Sequence, residues 1–492
     1  MHTGRPLGAP RRQQGQVIPF TLVFISAVIL GLWVMYDSGQ IQTQKIKLQN
    51  TADNVAYSNA TLMARDLNFA AYTNRAMVAN QVAIGQMVGL SSYGVFLKRT
   101  ATNLDDLATL FPPLKAATTV VKQVASTFST TVDHIASEVM IPASDRKVRW
   151  LSKVQKRYHR ASLKVASTVS SMVGYRNDPD AVAFLTNNGA AGISAAVGAY
   201  ARWASAIGPQ NELNDPDDDS AQAVAEKARF DAFGRHLVRD SKDPFSRHRS
   251  YDWFDIDFGV VAFEARKRGG AGLKRTASSD RYHWDWSAMD TIGLWEKVCV
   301  PIAGCSWTSE PIGWGAAHAV GYTHSDGTRY QYLNGGNFPN GLDRDEAWGG
   351  AVQNETAAHI AAGEFEDHNL AQVGGLQPFY AFRDATAYHD YGPANIAVYV
   401  KSAEAISSEH TMLDYVAPEI DTEGAGGLSH RRISAAAKAR PVFMRATDLD
   451  SFARSDGHYE HGNLFNPFWQ PRLVELTTAE KQQIAAALAA AP

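Results

Sequence analysis

Cysteine is nearly absent from this chain: its 492 residues include two, Cys299 and Cys305. That scarcity excludes a scaffold built on disulfides, and with no C-x-x-C or H-x-x-x-H nearby there is no zinc-ligand pattern. A charge bias is lacking too. With 47 Lys and Arg against 50 Asp and Glu, the formal charge is -3, which gives no electrostatic reason for a nucleic-acid partner. No repeat of solenoid length occurs. The two cysteines lie in CVPIAGC, around Pro301 and Gly304. They either close a small disulfide loop in an oxidising compartment or remain two reduced, buried thiols.

What the chain does have is one uncharged apolar run, residues 17–36, VIPFTLVFISAVILGLWVMY. A helix of that length covers about 30 Å, the thickness of a bilayer core. Arg5, Arg11 and Arg12 precede it and no basic residue follows until Lys45, so the positive-inside rule keeps the N-terminus in the cytoplasm and places the rest outside. A cleaved signal peptide is the rival reading. Its apolar region is usually shorter and ends at a small-x-small site, whereas this run ends in Trp33, Met35, Tyr36 and Asp37, as a retained anchor does.

Beyond the run, Ile41, Leu48, Val55, Leu62 and Phe69 recur every seven residues, beside a second row of Ala56, Met63, Ala70, Met77 and Ile84. Two adjacent rows of that period make one apolar stripe on a helix, which predicts a rod over 41–84 packed along one side by other helices of this chain or by a partner. Lys45, Asn59 and Asp66 at the remaining seam positions weaken a coiled-coil reading. Gly85 and Gly89 weaken the helix, and Pro112-Pro113 must interrupt it. Residues 114–174 are again helical in type, with Pro142 as the expected break. They carry Arg146, Lys147, Arg149, Lys153, Lys156, Arg157, Arg160 and Lys164, which form either a solvated face or a contact for anionic lipid or an acidic partner. A further helix is expected over 181–206.

Composition changes near Gly208-Pro209. The acidic stretch Asp215, Asp217, Asp218, Asp219 lacks calcium-loop spacing and opens a helix expected over 220–233. Later segments are rich in Trp, Tyr, Gly, Asp and Asn. Residues 254–263, 329–333 and 394–401 read as strands among turns at 335–336 and 339–341. The predicted class is α+β: a cytoplasmic tail (1–16), a transmembrane helix (17–36), a helical membrane-proximal region (37–207) and a mixed α/β distal domain (208–492).

Catalytic signatures are weak. Gly427-Leu428-Ser429-His430-Arg431 begins like a nucleophile elbow but lacks the closing glycine. Glu355 and His359 share a helix face with Glu364, Glu366 and His368 close behind, and His458 and His461 flank Glu460. Neither group has a metal-site spacing, so hydrogen bonding is the expected role, and no cofactor or metal is expected. Trp253, Trp284, Trp286, Trp295, Trp307 and Trp314 either pack a sheet or line a carbohydrate or peptide groove.

The N-terminal segment resembles that of the Flp pilus-assembly TadE/TadG-like proteins. The likeness rests on the basic tail, the Gly15-Gln16 entry, the apolar span, the polar turn Asp37-Ser38-Gly39 and the motif Leu48-Gln49-Asn50-Thr51-Ala52-Asp53. Residues 463–473, NLFNPFWQPRL, resemble a closing motif of larger members of that group. The resemblance implies an inner-membrane protein whose outer part assembles or anchors a Flp-type pilus or a related secretion apparatus, with membrane lipid and other assembly subunits as partners. Phe20 stands where prepilins carry a glutamate, so an unprocessed TadG-like anchor is expected rather than a pilus subunit. The competing class is a membrane-tethered hydrolase or polymer-binding protein, and a sensor with an outer ligand-binding domain is a third.

Overall fold

A computed structural model describes residues 17–110, 112–184, 202–210, 220–277, 282–300, 304–320, 348–384, 387–388, 390–402, 432–445, 454 and 456–489. The acidic stretch 215–219, the strand expected at 329–333, the turns at 335–341 and the segment 427–431 with Ser429 lie outside them, as do the tail 1–16 and residues 185–201 of the helix expected over 181–206.

One helix, α1 (Val17–Leu107), runs for 91 residues, roughly 135 Å at 1.5 Å per residue. The predicted apolar run forms its first twenty residues, all exposed; from Leu48 onward one face is enclosed by the rest of the chain. Pro112 opens α2 (Pro112–His134), which folds back against the end of α1, so the expected proline break holds. Pro142 does not break the chain. A π-helical stretch, Ile135–Met140, joins α2 directly to α3 (Ile141–Asn177). The wider i→i+5 pattern just before Pro142 absorbs the missing donor that would otherwise kink an α-helix.

The strands form three sheets. In the first, β1 (Val182–Ala183), β9 (Asn395–Ser402), β10 (Arg432–Phe443) and β11 (Trp469–Val474) lie in the order β1-β9-β10-β11, all neighbours antiparallel. In the second, β2 (Ile207–Gln210) pairs with β8 (Phe379–Phe382). The third runs β3 (Tyr251–Asp257), β4 (Val261–Ala277), β5 (Tyr282–Val300), β6 (Gly304–Val320) and β7 (Asn369–Gln372), with only the β6–β7 pair parallel. Helix α4 (Ala221–Ala232) starts where expected, its first turn capped by Ser220 Oγ accepting from the Ala223 amide at 3.3 Å. Helices α5 (Glu355–Asp367) and α6 (Thr478–Ala489) complete the fold.

The sheets meet α1 through small residues at alternate strand positions. On β10, Ala435, Ala437 and Ala439 are buried beneath Leu48, Ala52, Val55, Ala56 and Ala60. On β6, a Cβ at Gly313 or Gly315 would run into Thr100 or into the α1 backbone at Phe96 and Ser92, and Ala317 and Ala319 continue the same strand face. The opposite face of β5 and β6, with Met289, Ala316 and Val320, packs on Ala358 and Ala361 of α5. Gly85, expected to weaken the helix, sits where a Cβ would lie 2.6 Å from the Trp286 ring; it is the space into which β5 brings that indole.

Three further expectations are corrected. Leu48 and Val55 are buried, but chiefly against β9 and β10 rather than a helix; Leu62 and Phe69 are partly buried, Phe69 stacking on Tyr158 of α3 at 4.1 Å, and Ile41 is half-exposed. A period-seven stripe specifies a helix face, not the partner, and a sheet of small residues covers it as well as a helix does. The boundary at 207/208 also falls within continuous packing. Met63 and Leu67 of α1, Trp203 and Ile207 share a cluster with Tyr380, Phe443 and Trp469, and Gly208-Pro209 lies inside β2. The change in composition there marks a change of element type within one core. The helix expected from 181 begins instead as β1, paired with β9 at Val400 and Tyr399.

Candidate functional site

Along its enclosed face α1 carries polar side chains that the core pairs one by one. Asn59 Nδ2 donates to Ser170 Oγ at 2.8 Å, and Asp66 Oδ2 lies 2.6 Å from His159 Nδ1 while accepting from Trp203 Nε1 at 3.1 Å. Asn74 Nδ2 donates to the carbonyls of Tyr380 and Leu464 at 2.8 and 2.7 Å. Gln81 donates to the Gly375 carbonyl at 2.9 Å and accepts from Trp286 Nε1. Asn59 and Asp66, which make α1 a poor coiled coil, thus join Asn74 and Gln81 in fixing the heights at which particular loops and helices dock, whereas Lys45 stays exposed. A buried polar group left unmatched by a shift in register is costly, so this spine sets the register of the whole molecule on α1.

The spine ends in a buried charged centre. On the face of the third sheet towards α1, Asp290 of β5 stands opposite Gly269 of β4 and Gly315 of β6. The two glycines leave room for three partners: Arg249 binds the carboxylate through Nε and Nη2 at 2.9 and 2.7 Å, Lys267 Nζ reaches Oδ1, and Ser92 of α1 donates to Oδ2 at 2.7 Å. Lys267 Nζ also lies 5.0 Å from the Phe96 ring centre and 5.5 Å from that of Tyr93. Burial pushes Asp290 upward, yet Arg249 and then Lys267 outweigh it and hold the carboxyl below its ordinary range. Two cations share one carboxylate here. Burial first, with the nearby Arg249 adding to it against the pull of Asp290, lowers Lys267 to about 8. Nothing local in the sequence marks this centre; the alternation of Gly313, Gly315, Ala317 and Ala319 was its one legible trace.

Beside it opens a cleft of about 830 Å³ lined by Arg239, Lys242, Arg247, His248, Arg268 and Asp252, among others. Most of these cations are engaged: Arg268 with Asp252 at 2.6 Å, Lys242 with the Ala271 carbonyl at 2.6 Å, Arg239 with Asp240. Arg247 gives one donor to the Asp240 carbonyl at 2.9 Å and is otherwise turned outward, so the cleft has the chemistry of an anion contact.

None of the residues singled out for catalysis or metal binding lines this cleft. Glu355 and His359 are exposed on α5. Glu364 pairs with Arg99 and accepts from Trp314 Nε1 at 3.2 Å, and His368 Nε2 lies 3.1 Å from Ser91 Oγ and 3.3 Å from Asp133. His458 is at the surface, His461 lies 3.5 Å from Asp390, and Glu460 is held by Arg445, Asn463 and Asn466. Among the described residues no His, Cys, Asp and Glu group has a metal-site arrangement. The tryptophans separate likewise. Trp284 and Trp286 are core, Trp295 and Trp307 sandwich Arg266 at 4.8 and 5.6 Å, and Trp253 is exposed on β3. Cys299 and Cys305 face each other across β5 and β6 as a disulfide at the end of the hairpin.

The eight basic residues of α3 all point outward, opposite the face that holds Gln155 and His159. Comparison of the chain with family models, with curated proteins and with solved structures finds no match.

Proposed function

We propose that this chain is a single-pass inner-membrane component of Flp/Tad-type pilus assembly or a related secretion apparatus, acting as a non-enzymatic scaffold. The observation that carries the reading is a contrast within one helix. Residues 17–36 of α1 are apolar and exposed, while from Leu48 onward one face of the same helix is enclosed by α2, α3 and the sheets. An uncovered apolar span of that length is stable in lipid and costly in water. The N-terminal resemblance to TadE/TadG-like proteins supplies the assignment to pilus assembly. In this arrangement α1 is a stalk that sets the outer part at fixed heights above the bilayer. The basic face of α3, level with Asp66 and Asn74, stands about 45–57 Å along α1 from Tyr36, too far for lipid headgroups and suited to an acidic partner.

The test is topology. Alkaline phosphatase fused after Asp37 or at the C-terminus is expected to be active, and the full-length chain to stay with membranes after an alkaline wash. A soluble mature protein beginning near Asp37 would overturn the anchor. His359→Ala and His461→Ala are expected to leave pilus or secretion output near wild type; strong loss at normal protein level would favour the hydrolase alternative.

A further inference from the structure

Helix α2 carries a second apolar seam that its own chain leaves uncovered. Its inward side, with Ala125, Ser129, Val132 and then Ala136, is buried against α1. About a quarter-turn away, Leu114, Val121, Phe128 and Ile135 recur every seven residues, with Ala117, Val124 and Thr131 in the interleaved row. Leu114, Val121, Val124, Phe128 and Ile135 are 58, 57, 64, 37 and 45 % exposed. This is the a/d pattern of a two-stranded coiled coil over about 32 Å, so the occupant it fits is another helix.

Charge narrows the occupant. The charged residues from Pro112 to Asp133 are all paired inside the chain: Lys115 and Lys122 on Asp105, Asp133 with His368. On the open side the seam is bordered by Val120, Gln123, Thr127 and Thr130, none of them acidic or basic, and at its last turn by the exposed His134. Such a border offers nothing to select a partner helix with charged flanks, and it brings no like-charge repulsion when two copies meet. Height narrows it further. Ser129 packs against Gly94, about 87 Å along α1 from Tyr36, beyond reach of a bilayer holding residues 17–36.

We infer that α2 pairs with α2 of a second copy of this chain, as a parallel coiled coil through Leu114, Val121, Val124, Phe128 and Ile135. The parallel sense rests on the anchor proposed above: two chains rooted in one membrane point the same way, so the two-fold axis lies along the stalks and like positions meet.

Both native cysteines are joined to each other, so a single introduced cysteine supplies one reporter thiol. Leu114→Cys, Val121→Cys, Val124→Cys and Ile135→Cys are made in the full-length chain, and native membranes are oxidised with copper-phenanthroline and run on non-reducing gels. Each is expected to give a disulfide-linked dimer, with Gln123→Cys remaining monomeric. Adding Phe128→Glu, a change at an exposed position, is expected to lower the Val121→Cys dimer yield about tenfold or more. Equal yields from Val121→Cys and Gln123→Cys, dimers from Val124→Cys but from neither Leu114→Cys nor Ile135→Cys, or adducts only with a chain of different mass would each overturn the proposal. Membrane fractionation of the same samples reports separately on the anchor.

Discussion

Asp290 shows how one residue's surroundings decide its worth. Its carboxylate is buried with two cations; Gly269 opposite it is the space that the carboxylate and Lys267 Nζ need, and Gly315 on the other side lets the α1 backbone at Ser92 and Phe96 approach. Asp290→Ala leaves Arg249 and Lys267 buried beside each other without a counter-charge and is expected to cost about 3–5 kcal/mol. Lys267→Met removes the surplus cation, keeps the bidentate Arg249 pair, and is expected to be neutral or stabilising. Both are read from urea unfolding of the detergent-solubilised chain. The pH dependence carries a sign. Unfolded, Lys267 holds its proton up to its ordinary 10.5; folded, it releases it near 8. Between those values the unfolded state binds more protons, so this lysine makes stability rise with pH, and Lys267→Met should remove that rise. A falling slope in the wild type that the variant does not alter would contradict the charge assignment.

At the scale of elements, the recurring device is a long helix laid on strands whose inward positions are glycine or alanine. Gly315→Val places a Cβ against the α1 backbone at Ser92 and Phe96, where no flexible side chain can yield, and is expected to destabilise by about 1–3 kcal/mol. Gly363→Ala on α5 meets nothing within 4 Å and is expected to stabilise by about 0.5–1 kcal/mol through helix propensity. The two glycine changes, compared by thermal midpoint, separate a packing requirement from a propensity cost. Element types were legible wherever the pattern was local: the apolar start of α1, the proline break before α2, the helix α4 and strand β9. Residues 254–263, expected as one strand, instead form a hairpin, because Gly259 at φ 85° turns the chain between β3 and β4. Strand β10 was missed although Ala435, Ala437 and Ala439 alternate with Ala436, Lys438 and Arg440. Alanine on both faces hides a period of two, which emerges once burial separates the faces.

For the whole molecule, the consequence of threading α1 past all three sheets is mechanical continuity. Val55→Asp puts an unpaired charge beneath β10, and because the same helix forms the floor of the third sheet, hydrogen exchange in β4, β5 and β6 should accelerate as well. Protection unchanged there, with exchange raised only in β9 and β10, would restore the two-domain division at 207/208. The sequence by itself determined the α+β class, the apolar first twenty residues of α1, the amphipathic stripe that follows and the turn at Pro112, since each is written in neighbouring residues or in a short period. Only the tertiary structure decided what covers that stripe, why Asn59 and Asp66 interrupt it, and where Asp290 finds its charges. Those answers join residues as far apart as Ser92 and Asp290, separated by 198 positions, and a contact at that separation leaves no periodicity to read; it exists only once the chain has brought β5 onto α1.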